Sequence, residues 1–131
     1  GNLTLNSGNF YFDCPIYVEG KLTINSTNFI GKGIIYAKND IKVNSASFAT
    51  TAGTVSLYCG EGNIELNSMW ADINGFMYAP KGAIKMNSMS SKINGSVIAN
   101  EIKLNSGYLK VNYGGGNYDG LPEGGSVRLV E

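Results

Sequence analysis

One five-residue unit recurs six times, and its period restricts the fold more than any other feature of the chain. The unit reads Leu3-Thr4-Leu5-Asn6-Ser7, Leu22-Thr23-Ile24-Asn25-Ser26 and Ile41-Lys42-Val43-Asn44-Ser45. It returns as Ile64-Glu65-Leu66-Asn67-Ser68, Ile84-Lys85-Met86-Asn87-Ser88 and Ile102-Lys103-Leu104-Asn105-Ser106. Successive asparagines are 19, 19, 23, 20 and 18 residues apart. Self-similarity at a period of about 20 residues marks a solenoid built from one supersecondary unit per repeat.

The first and third residues of every unit are aliphatic, and the second is Thr, Lys or Glu. That alternation is the period-2 pattern of a strand with one buried face, since a helix would scatter the same residues around its circumference. A second strand is written in Gly33-Ile34-Ile35-Tyr36-Ala37, Gly75-Phe76-Met77-Tyr78-Ala79 and Gly95-Ser96-Val97-Ile98-Ala99. Weaker versions are Cys14-Pro15-Ile16-Tyr17-Val18 and Gly53-Thr54-Val55-Ser56-Leu57-Tyr58. Alternation there predicts that Ile35, Met77, Val97, Ala37, Ala79 and Ala99 point inward, with Tyr36 and Tyr78 outward. Between the two lies a third short strand, clearest in Ala71-Asp72-Ile73-Asn74 and Ser91-Lys92-Ile93-Asn94.

Three strands and three turns per repeat predict an all-β fold, a single-stranded parallel β-helix of about six coils of roughly 20 residues. Coils of that length with unequal turns favour the right-handed form over the hexapeptide left-handed one. With coils spaced by about 4.8 Å, the rod would be roughly 25–30 Å long. Residues 1–113 carry the repeats. Residues 114–131, rich in glycine, read as a C-terminal cap over an otherwise open strand edge, with Val127-Arg128-Leu129-Val130 as a last short strand.

The recurrent asparagines, Asn6, Asn25, Asn44, Asn67, Asn87 and Asn105, invite two physical explanations. A turn between strands suits a residue that tolerates left-handed φ, and Asn ranks next after Gly. Stacked Asn side chains can also bond from coil to coil as a ladder. Both are structural, and both are preferred over a catalytic or ligand-binding row. The longer interval between Asn44 and Asn67 requires an outward loop, placed in 49–53 or 60–63. Cys14 aligns with the Gly33 position and Cys59 with the Ala37 position two coils on, too far for a disulfide. Two free thiols are expected.

The composition says more about what is excluded than about what is done. The 131 residues suffice for one domain, and ten basic side chains balance ten acidic ones. A neutral chain gives no reason to expect nucleic acid as a partner. The absence of histidine removes the commonest general base and metal ligand, and no cofactor or metal is expected. Polysaccharide-cleaving β-helices need carboxylates stacked in one column of neighbouring coils. Here Glu65 lies between Lys42 and Lys85, and Asp72 is followed by Lys92, as expected of alternating charges on a solvated face. Tyr17, Tyr36, Tyr58 and Tyr78 fall close to one column and form the candidate binding face, with a polysaccharide as candidate ligand; packing of one ring on the next is the simpler reading. The glycosylation patterns at Asn2, Asn25 and Asn94 are discounted, because ladder asparagines make poor acceptors. Gly1-Asn2 falls inside a repeat, so a fragment of a longer chain is expected, with membrane association only through a segment upstream.

The I-x-L-N-S and G-x-x-Y-A units, followed by Tyr118-Asp119-Gly120-Leu121-Pro122-Glu123, resemble the β-helical ectodomain of bacterial pilus-assembly-type, minor-pilin-like surface proteins. In that group the β-helix usually follows a pilin-like hydrophobic helix, which is not in this sequence. More distantly the repeats are similar to bactofilins, bacterial β-helices that polymerise end to end. Bactofilin coils are typically shorter, richer in Gly and Val, and lack the Asn-Ser turn. The first resemblance implies a non-enzymatic structural module at the cell surface, with envelope proteins as partners. The second implies self-association in a cytoplasmic scaffold. Neither carries over a catalytic residue.

Overall fold

The computed structural model describes residues 1–50 and 55–112. Its strands are β1 (Leu3–Phe12), β2 (Ile16–Val18), β3 (Leu22–Gly31), β4 (Ile34–Ala37), β5 (Ile41–Thr50), β6 (Val55–Cys59) and β7 (Ile64–Asn112). There is no helix among the described residues. Every pairing between these strands is parallel, and the sheet order is β1-β3-β5-β7-β6-β4-β2. That order describes a coil: β1, β3 and β5 stack on one side, β2, β4 and β6 on another, and β7 belongs to both. The chain is a parallel β-solenoid, as the repeat period predicts.

Register follows the repeat residue by residue. Leu3 pairs with Leu22, Leu22 with Ile41 and Ile41 with Ile64; Asn6, Asn25, Asn44 and Asn67 pair in the same way. The unit expected as a separate short strand after each Asn-Ser is instead continuous with the first. Each of β1, β3 and β5 is a single ten-residue strand. The strand turns a corner at the one position its pairing skips, that of Gly8, Thr27, Ala46 and Met69, and resumes register beyond it; burial shows the change of face. In β3 the buried positions are Leu22, Ile24 and Phe29, so the inward parity changes between Ile24 and Phe29. A change of parity in an extended strand rotates its buried face, which makes the corner.

The interior is a set of like-on-like columns. Leu22, Ile41, Ile64 and Ile84 fill one and Ile24, Val43, Leu66 and Met86 another, all buried. Ile35, Met77, Val97, Ala37, Ala79 and Ala99 are also buried, as alternation predicts. Full burial of one such aliphatic side chain is worth roughly 1.5–3 kcal/mol gross, most of it offset by the entropy of ordering the chain.

A phenylalanine column missed in the sequence lies just past the corner. Phe29 stacks on Phe10 with centroids 5.4 Å apart and on Phe48 at 5.0 Å. Later coils place Ala71 and Ser91 there, and Ala71 replaces Phe48 directly in register. The lost volume returns two residues further on: Phe29 is followed by Gly31, whereas Ala71 and Ser91 are followed by the buried Ile73 and Ile93. Exchanging large and small residues between neighbouring columns keeps each coil's cross-section filled. Buried Ser91 is satisfied by Ser88 Oγ.

Glycine takes a left-handed backbone at one corner of three coils. Gly33, Gly75 and Gly95 have φ of 128°, 138° and 149°, values that side chains rarely adopt. A Cβ on Gly95 would also fall on the carbonyl oxygen of Gly75 one coil below. In the coil between Gly33 and Gly75 the position is occupied by Val55 and not Gly53, because Ser56 pairs with both Ile34 and Phe76.

The insertion divides between the two expected places. Thr50 pairs with Gly31, 19 residues earlier, and Ser56 with Ile34, 22 earlier, so three extra residues enter between Thr50 and Val55. Ile64 pairs with Ile41, 23 earlier, so one more enters between Cys59 and Ile64. Residues 51–54 lie outside the described residues, as do the expected cap at 114–131 and its last strand. Both cysteines are free; Cys14 is exposed and Cys59 buried, its thiol donating to the Asn39 carbonyl.

Candidate functional site

The six predicted asparagines are brought together without a gap. Nδ2 of Asn25 donates to Oδ1 of Asn6 at 2.8 Å, Asn44 to Asn25 at 2.8 Å and Asn67 to Asn44 at 3.0 Å. Asn87 donates to Asn67 at 2.8 Å and Asn105 to Asn87 at 3.0 Å. Each bond runs from the later coil to the earlier one, so the ladder has a direction. The first explanation for these residues does not hold: no described residue other than glycine has positive φ. The asparagines sit at a corner of an extended strand, and it is their side chains that the position needs.

Other ladders were not anticipated. Asn28 donates to Asn9 at 2.8 Å, Asn94 to Asn74 at 3.0 Å and Asn112 to Asn94 at 3.1 Å. Where β1, β3, β5 and β7 begin, side-chain oxygens accept main-chain N–H groups from the next coil. Asn2 Oδ1 accepts Lys21 N at 2.8 Å, Asp40 Oδ1 accepts Asn63 N at 2.9 Å and Asn63 Oδ1 accepts Ala83 N at 2.7 Å. The polar residues of the repeat are thus largely engaged in holding coil to coil, which is how buried or half-buried polar groups avoid an unpaired state.

Tyr17, Tyr36, Tyr58 and Tyr78 do form one outward row, with successive centroids 4.6, 5.3 and 5.0 Å apart. Stacking sets what the row can offer. Tyr36 stacks on Tyr17 with 14° between the ring planes, while the Tyr36–Tyr58 and Tyr58–Tyr78 pairs are tilted by 38° and 46°, so the inner rings are partly covered by their neighbours. Burial, then the adjacent Tyr78 and Tyr36, raises the Tyr58 phenol above its ordinary pKa. At the end of the row the Glu19 carboxylate raises that of Tyr17.

Among the described residues the charged side chains stand apart or in single pairs. Lys42 and Glu65 are in register, yet the Glu65 carboxylate accepts Asn67 Nδ2 at 2.9 Å. The ion pairs among the described residues are Lys81–Glu61, across one coil step at 3.0 Å, and Lys103–Glu101, along one strand at 3.3 Å. Lys21, Asp40, Lys42, Asn63 and Glu65 border a shallow polar notch of about 140 Å³. Among the described residues no group of three or more acidic, Cys or His side chains could hold a metal ion, and no helix is long and apolar enough to cross a membrane.

Sequence reasoning also passed over a cluster at the Asn-Ser corner of the later coils. Met69, Trp70, Met89 and Tyr108 are all exposed there. The aromatic pair occupies a position that earlier coils give to Asn9, Asn28 and Ser47. A change of residue type at constant position was the available signal. No family model, curated protein or solved structure matches the chain.

Proposed function

We propose that this chain is a non-enzymatic structural module of a bacterial cell-surface or pilus-associated protein, a stiff spacer that works through its shape. The observation that carries the reading is the asparagine ladder, unbroken over all six repeats. Residues that recur at a fixed position are consumed in tying coils together, and the charged side chains stay dispersed. The bacterial envelope setting rests on the resemblance of the repeats alone. The test is antibody labelling and protease shaving of intact cells that produce the full-length protein. Labelling of unbroken cells is expected. Labelling only after lysis would overturn the surface assignment.

One observation favours a second reading, an end-to-end polymerising scaffold. Among the described residues Asn6 Nδ2 has no partner at one end of the ladder, and Asn105 Oδ1 has none at the other. Leu5 and Phe10 in the first coil, and Ile102, Leu104 and Val111 in the last, are only partly buried. A second copy stacked in register would place Leu5 on Leu104 and let Asn6 donate to Asn105, continuing the ladder through the joint. Scattering mass that climbs with concentration is the outcome expected of this reading; a constant monomer mass would remove it.

A further inference from the structure

The cluster at the Asn-Ser corner has a geometry that the tyrosine row lacks. Trp70 is 56% exposed and Tyr108 60% exposed, and neither ring stacks on another aromatic among the described residues. More than half of each residue is thus exposed, with no aromatic neighbour among those residues covering it. The ladder bonds set their relation: Asn87 lies on Asn67 and Asn94 on Asn74, which puts Ser90 on Trp70. Asn105 on Asn87 and Asn112 on Asn94 likewise put Tyr108 on Ser90. The two aromatic residues are thus in one column with a single small residue between them.

Two coil steps separate their backbones by about 9–10 Å. That distance is close to the disaccharide repeat of an extended β-1,4-linked hexopyranose chain, in which every second sugar presents the same face. The C–H bonds on one face of a pyranose pack against an aromatic ring, which combines a large apolar area with a negative face. Met69 and Met89, exposed at the preceding position of the same corner, can supply adaptable apolar contact. Asp72, Lys92 and Lys110, two residues along each strand, are exposed and can hydrogen-bond sugar hydroxyls.

We propose that Trp70 and Tyr108 form a two-point stacking site for a β-1,4-linked polysaccharide, oriented along the rod axis and bridging Ser90. The site stands on this corner alone and does not depend on the rod being at a cell surface. It differs from the face expected in the sequence, because there each inner tyrosine ring has an aromatic neighbour on both sides that competes with a sugar for its faces.

The test uses the full chain, in which Trp70 is the single tryptophan, so its fluorescence reports the site directly. Titration with cellohexaose and with chitohexaose is expected to give a saturable change with at least one, and their ratio tells plain from N-acetylated sugars. Maltohexaose, α-linked and curved, should bind about tenfold more weakly or worse. Tyr108→Ala should weaken binding by about tenfold, and Trp70→Ala, followed by calorimetry, by at least as much. Trp70→Tyr should retain most of the affinity, and Tyr36→Ala should leave it unchanged. Trp70→Ala should keep the far-ultraviolet dichroism, since this position accepts Asn28 and Ser47 in other coils. The proposal fails if neither β-1,4 hexamer binds at millimolar concentration, if maltohexaose binds equally, or if Tyr108→Ala has no effect. It also fails if Trp70 instead mediates a dimer that Trp70→Ala dissolves, because the corner would then be a contact between copies.

Discussion

At the scale of single residues, the asparagines differ in value according to their place in the ladder. Asn67 donates to Asn44 and to Glu65 and accepts from Asn87. Replacing it by alanine strands a half-buried oxygen on one side and an N–H on the other. Asn67→Ala should destabilise by about 2 kcal/mol, whereas Asn6→Ala, which removes one exposed end bond, should cost about 1 kcal/mol or less. Chemical denaturation of both variants checks the ranking, and equal losses would mean the ladder bonds contribute nothing specific. The tyrosine row predicts a pH dependence. A phenol whose folded pKa is raised stabilises the fold below its ordinary titration range, and that contribution is lost as pH rises through the folded value. Tyr58 is raised chiefly by burial, so stability should decline above pH about 10. Thermal melts across that range should show a shallower decline in Tyr58→Phe than in the parent.

At the scale of the element, the corners decide what the repeat tolerates. Gly95 combines a φ of 149° with a backbone carbonyl where its Cβ would stand. Gly8, at the Asn-Ser corner, has nothing within 4 Å of the same atom. Gly95→Ala should therefore cost about 3 kcal/mol or abolish folding, by strain added to overlap. Gly8→Ala should be neutral or slightly stabilising through the unfolded state. Soluble yield and melting temperature of the two variants compare these corners directly. The Asn-Ser corner nonetheless carries Thr27, Ala46, Met69 or Met89 in successive coils, although at Gly107 a Cβ would stand 3.0 Å from the Met89 carbonyl oxygen.

At the scale of the molecule, the rod is a one-dimensional stack in which each coil is stabilised mainly by its neighbours. Among the described residues the first and last coils hold the partly buried core side chains Leu5, Phe10, Ile102, Leu104 and Val111, and an uncovered strand edge is a template for pairing. If copies stack end to end, Leu5→Asp should abolish growth in mass by placing a charge against Leu104, at a desolvation penalty no partner offsets. Light scattering of parent and variant across the same concentrations tests this. A parent that grows and a variant that grows equally would place the contact elsewhere.

The sequence by itself determined the solenoid, the in-register columns and the main ladder, from Asn6 through to Asn105. It could do so because in a parallel stack residues at equal phase become neighbours, so the period alone specifies their contacts. It also located the insertion and kept the thiols of Cys14 and Cys59 apart. Only the tertiary structure decided where the strand turns without breaking, since a change of inward parity between Ile24 and Phe29 has no local propensity signal. The same holds for the exchange of Phe29 and Gly31 for Ala71 and Ile73, which depends on the summed volume of a cross-section. Ring availability is likewise a property of neighbours: Tyr36 lies between Tyr17 and Tyr58, whereas Trp70 has Ser47 and Ser90 in the coils beside it.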